Sequence, residues 1–138
     1  MKYVFEVLED VVKAKTRQDK IQILKKNESW ALKDILKGTL DPKIEWDLPA
    51  GTPPYTASDP HNAPSNLLKR NKQFKYFVKG GPARDLPKYK RESIFIGLLE
   101  AIHPKDAELV VSMINKQKPG KGITAKLVNE AFPNLVSS

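Results

Sequence analysis

The stretch Gly120-Lys121-Gly122-Ile123-Thr124-Ala125-Lys126 has the residue types and spacing that most directly imply chemistry. Two glycines let backbone N–H groups approach a phosphate closely. Thr124 is a good N-cap, so a helix starting there would offer unpaired N–H donors at the positive end of its dipole. Lys118, Lys121 and Lys126 add positive charge around the turn. An ordinary glycine-terminated helix followed by a tight turn has the same composition. A second basic run covers residues 67–91, which hold nine Lys or Arg and one acid, Asp85. Its net +8 equals the net +8 of the whole chain, because the remaining 15 basic and 15 acidic side chains cancel. Charge concentrated in this way favours a polyanionic partner, although a solvated lysine-rich surface is also common. In this run Lys72, Lys75, Lys79, Arg84, Lys88, Lys90 and Arg91 are the candidate phosphate contacts, with Gly80 and Gly81 between them.

Candidates for bond-making chemistry are few. The chain has no Cys, which removes disulfides, thiolate metal sites and a Cys nucleophile. Its two histidines, His61 in a proline-rich stretch and His103 before Pro104, are poor metal-ligand material; His103 reads as a capping or packing residue at a helix junction. No Gly-x-x-x-x-Gly-Lys-Ser/Thr phosphate loop and no Gly-x-Ser-x-Gly elbow occurs. The sequence therefore reads as a binder, not an enzyme, with no cofactor and no metal. At 138 residues and 40% apolar it suits one domain, residues 1–138, with a real core. It lacks an apolar run of membrane-spanning length and a signal-peptide stretch, so the expectation is an intracellular protein, in the host cytoplasm if phage-encoded.

The elements that must position these residues are helical, because apolar residues recur at helical rather than alternating spacing. Val4, Val7, Leu8, Val11 and Val12 predict a helix over 2–15. Thr16 caps a second, which buries Ile21, Ile23 and Leu24. Asn27 or Ser29 caps a third, ended by Gly38. Residues 47–66 hold five of the eleven prolines and predict a long loop. Ser65 caps a fourth helix over 66–79, amphipathic, with Lys72, Lys75 and Lys79 along one face. A fifth over 90–102 is the most apolar and belongs at the centre of the core. Pro104 opens a sixth, and a short seventh follows Thr124. The expected fold is all-α, a single domain of six to seven helices.

The Gly120–Thr124 turn resembles the phosphate-gripping turn of helix-hairpin-helix DNA binders, although Ala125 follows Gly122 by three positions rather than four. The whole chain outside residues 47–66 resembles the N-terminal α-helical DNA-binding domain of ATP-dependent DNA ligases, particularly of T-even bacteriophages. The likeness starts with Leu8-Glu9-Asp10-Val11 and with Thr16-Arg17-Gln18-Asp19-Lys20 leading into Ile23-Leu24-Lys25-Lys26-Asn27. It continues through Gly80-Gly81-Pro82-Ala83-Arg84 and the run from Lys88 to Leu99. It is fullest from Lys105 to Val136, including Asp106-Ala107-Glu108-Leu109-Val110, the spacing of Gly122 to Pro133, and Asn129-Glu130-Ala131-Phe132-Pro133-Asn134-Leu135-Val136.

That resemblance implies a domain lying along duplex DNA, nicked or intact, and touching backbone and minor groove without reading sequence. It carries one contact loop onto Gly80, Gly81, Arg84, Lys88 and Lys90, and a second onto Lys118, Gly120, Lys121, Gly122 and Thr124. The family's Arg-x-Leu-x-x-Gly-type run is replaced by Asn115-Lys116-Gln117-Lys118-Pro119-Gly120, where lysines supply charge without the arginine fork. The ligase nucleophile motif Lys-x-Asp-Gly is absent. The implied protein is a free-standing, monomeric accessory of phage replication or repair that grips DNA without sealing it. The alternative is an interaction module that docks a phage or host replication, transcription or virion component, using Trp46, Tyr55 and the proline-rich loop.

Overall fold

A computed structural model describes residues 2–137. Seven α-helices and one 3-10 helix follow in order: α1 Val4–Lys13, α2 Arg17–Lys26, α3 Trp30–Leu40, α4 Leu67–Arg70, the 3-10 helix Asn71–Tyr76, α5 Lys88–Ala101, α6 Pro104–Ile114 and α7 Ala125–Ala131. The fold is all-α. Among the described residues the only β-type pairing is an isolated antiparallel bridge between Trp46 and Val78, flanked by Asp47 N–H to Phe77 O and Lys79 N–H to Glu45 O at 2.6 and 2.8 Å.

Local signals set most helix starts. Thr16 Oγ1 accepts the N–H of Asp19, Ser29 Oγ that of Leu32 and Thr124 Oγ1 that of Leu127, each occupying a donor the helix cannot satisfy itself. Pro104 occupies the first turn of α6, and His103 caps it, its Nδ1 accepting from Lys105 N–H at 3.0 Å. His103 also lies against the rings of Tyr3 and Phe5, with centroids 4.7 and 4.6 Å away, and burial holds its pKa below the ordinary value. The buried side chains form one contiguous core, and its centre is α6, which packs on α1, α3 and α5; α5, expected at the centre, encloses Leu98 and Leu99 but packs chiefly on α6.

Further expectations change. The third helix runs through Gly38 to Leu40; the glycine is there for packing, since a Cβ would lie 2.6 Å from Trp46 Cζ2 and 2.7 Å from Met113 Sδ. The fourth helix begins at an Asn66 cap rather than Ser65, makes a single α-turn and tightens into the 3-10 helix. The tightening follows from what must be buried: Asn71, Phe74 and Phe77 all face inward at a spacing of three, the period of a 3-10 helix and not of an α-helix. The fifth helix starts at Lys88, two residues early. Val12, expected in the core stripe of α1, is exposed.

The proline-rich stretch 47–66 is pinned to α5 and α6. Gly51 exchanges hydrogen bonds with the Asn115 amide, Thr56 N–H donates to Glu100 at 2.8 Å, and Ser58 Oγ donates to Ile102 O at 2.5 Å.

Candidate nucleic-acid interface

The two basic stretches leave from the same end of the helix set. Helices α1 and α6 run side by side in the same direction. Phe5 N–H donates to Asp106 Oδ1 at 3.0 Å near their starts, and Gly120, just past α6, lies against Val12 near the end of α1. The C-terminus of α3 joins this end, because Gly38 packs on Met113 and Lys116 Nζ donates to the carbonyl of Asp41 at 2.8 Å. Through the Trp46–Val78 bridge, the segment after the 3-10 helix is drawn to the same place: Lys79 and Lys116 line one groove with Glu45 and Ile114. Burial lowers the pKa of Lys116, with Asp41 and Glu45 pulling the other way.

Within 67–91 the predicted cations separate into two groups. Lys72 and Lys75 are exposed along the 3-10 helix, where a period of three keeps them on one side. They share a groove with Lys37 and the rings of Trp46 and Phe74. Lys79, Gly80 and Arg84 are exposed in the turns that follow, and Lys88 and Lys90 occupy the exposed first turn of α5. Gly80 has φ +73°, a conformation that only glycine takes without strain. Gly81 is half-buried against Val78.

Arg91 belongs to the second group and corrects the expectation that it meets a phosphate. It is 3% exposed. Its Nε donates to Tyr76 O at 3.0 Å and its Nη2 to Ala83 O at 2.8 Å, while Nη1 lies 3.3 Å from Asp47 Oδ2. A planar fork with five donors suits this position, bridging two loop carbonyls and a carboxylate. Arg91 shapes the 76–84 loop from inside; it is not available on its surface.

That burial sharpens the charge pattern. Among the described residues, Lys2, Arg17, Lys33, Lys37, Arg91 and Lys105 have an acid within 4.0 Å. Eight of the nine cations of 67–91 are not among them, nor are Lys118, Lys121 and Lys126. These cations are therefore free of close ion pairs, although Asp34 shares a groove with Lys72 and Lys75, Glu45 shares one with Lys79, and Glu130 feels the charge of Lys126.

The 120–124 turn is also partly revised. Gly120 does not leave room for a phosphate, because a Cβ there would sit 2.6 Å from Val12 Cγ2 and 3.0 Å from Ile123 Cδ1; the glycine lets the turn close on α1. Gly122 keeps the expected character, exposed and at φ +80°. Thr124 caps α7, but α7 has only seven residues and sums few peptide dipoles. Attraction for an anion at this turn rests on Lys118, Lys121 and Lys126, all exposed, together with Lys20. Sequence reading missed Lys20. Its Nζ donates to Val11 O at 2.7 Å, closing the end of α1, and lies 3.8 Å from where a Gly122 Cβ would be. Nothing local signals this neighbour, since α2 and the turn meet only through the fold.

Among the described residues no three His, Cys, Asp or Glu side chains gather at metal-binding spacing, and no helix is long and apolar enough to cross a membrane. No curated protein matches the chain. A family match spans residues 7–118, from α1 past the end of α6 and including the whole basic segment 67–91, and on that match the chain belongs to DUF6433, a family of unknown function.

Proposed function

We propose that this chain is a non-catalytic, sequence-independent binder of duplex DNA, of the kind its resemblance to ligase DNA-binding domains implies, acting as a replication or repair accessory of a phage. The observation that carries the reading is the unpaired charge: Lys72, Lys75, Lys79, Arg84, Lys88 and Lys90 have no acid within 4.0 Å among the described residues. The Lys118–Gly122 turn leaves from the same end of the helices. Cations arranged in this way take phosphates by charge, which positions a protein on DNA without reading bases.

The proposal is tested by fluorescence anisotropy on two duplexes of unrelated sequence. Equal affinity for both, lowered alike by Lys88→Glu and Lys121→Glu, supports it. Absence of binding at low salt overturns it. The rival reading, a protein-docking module built on the proline-rich loop, has less support, because Gly51, Thr56 and Ser58 already bond that loop to the body of the protein.

A further inference from the structure

Two aromatic side chains stand out in solvent: Trp30 at 73% and Tyr89 at 69% exposure. They differ in what already covers them. The Lys33 ammonium lies over the Trp30 ring, 5.0 Å from its centroid, and also 5.4 Å from that of Phe132. Trp30 therefore has an intramolecular partner, on the N-terminal turn of α3, away from the basic end. Tyr89 has neither an aromatic nor a cationic partner among the described residues. It stands in the first turn of α5 between exposed Lys88 and Lys90, two residues before the buried Arg91 that fixes this turn against Tyr76 and Ala83. Arg91 thus gives the tyrosine a rigid base, while its ring stays free.

An uncovered ring flanked by two cations on a fixed helical turn has the make-up of a stacking platform for an unpaired nucleobase: the lysines hold the backbone and the ring takes the face of any base. Inside a duplex every base face is covered by its neighbours, so away from the two ends the ring has nothing to stack on. We propose that Tyr89 stacks on an unpaired base and that the preferred target is DNA in which duplex adjoins single strand. This rests on the DNA-binding reading above and adds a substrate class to it.

The test measures affinity for a blunt duplex, for the same duplex with a single-stranded overhang, and for the single strand alone, using the full chain and its Tyr89→Ala and Tyr89→Phe variants. Tyr89 is exposed, so both variants are expected to melt with the wild type. The wild type should bind the overhang DNA about 5- to 150-fold more tightly than the blunt duplex, from the range known for stacking one base on an aromatic side chain. Tyr89→Ala should remove that preference and leave blunt-duplex affinity unchanged, and Tyr89→Phe should keep it. Normal blunt-duplex binding with no preference for the overhang overturns this inference alone, as does an equal loss on all three DNAs in Tyr89→Ala. Failure of the wild type to bind any of the three overturns the DNA-binding reading and this inference with it.

Discussion

Replacing Arg91 separates a structural arginine from a phosphate-binding one. Arg91→Met keeps most of the buried stem and removes the guanidinium, leaving the carbonyls of Tyr76 and Ala83 without their charged donor. Hydrogen bonds to a charged group contribute about 1.5 to 3 kcal/mol each. The ion pair to Asp47 adds little, under about 1 kcal/mol, because that carboxylate is half-exposed. Partial access of water to the freed carbonyls offsets some of the loss, so the expected cost is about 3 kcal/mol. At about 2 cal/mol/K of unfolding entropy per residue, a chain of 138 residues then melts about 10 °C lower. Arg91→Lys, which keeps the charge but reaches only one carbonyl, should lose about half as much, and Asp47→Asn hardly anything. Thermal unfolding followed by far-UV circular dichroism reads these shifts. Duplex binding measured below the melting range reads the other side, and the salt dependence of Arg91→Met should match the wild type. An unchanged melting temperature together with a shallower salt dependence would refute the reasoning and return Arg91 to the DNA-contacting surface.

Two further outcomes concern the interior. Gly38→Ala should destabilise by about 1 to 2 kcal/mol although alanine is the better helix former, because the new methyl meets Trp46 and Met113; a raised melting temperature contradicts the packing account. Burial pushes the Asp106 carboxyl up to about 6, against the pull of the Phe5 N–H and with help from the Glu6 charge. The folded state therefore holds a proton that the unfolded chain releases near 3.8, and this group's contribution to stability is present below about pH 4 and lost as pH rises to about 6. The change amounts to about 3 kcal/mol from the shift. Asp106→Asn should flatten the stability profile between these pH values and be the more stable form at pH 7; a profile parallel to the wild type shows that the carboxyl is not protonated in the native state.

What was legible in the sequence was what short-range chemistry decides. Thr16, Ser29 and Thr124 cap their helices and Pro104 opens α6 because each acts on groups within three residues of itself. The exposure of Lys88, Lys90, Lys118 and Lys121 was legible for a similar reason, since an ammonium stays in water unless a buried partner holds it. What was hidden depends on partners brought by the fold. Arg91 reads as one more basic residue until the loop carbonyls of Tyr76 and Ala83 close on it. Gly38 and Gly120 read as a helix stop and a phosphate turn, whereas each clears space for a side chain far along the chain, Trp46 and Met113 for one and Val12 for the other. The 3-10 helix was hidden because spacings of three and of 3.6 nearly coincide over the seven residues from Asn71 to Phe77, and burial of both phenylalanines decides between them.

The salt dependence of duplex binding tests the central claim most directly. If about six of the unpaired cations at the basic end neutralise phosphates, log K should fall against log salt with a slope of about −5, the same for unrelated sequences. A flat dependence, or no measurable duplex binding at low salt, would contradict the account.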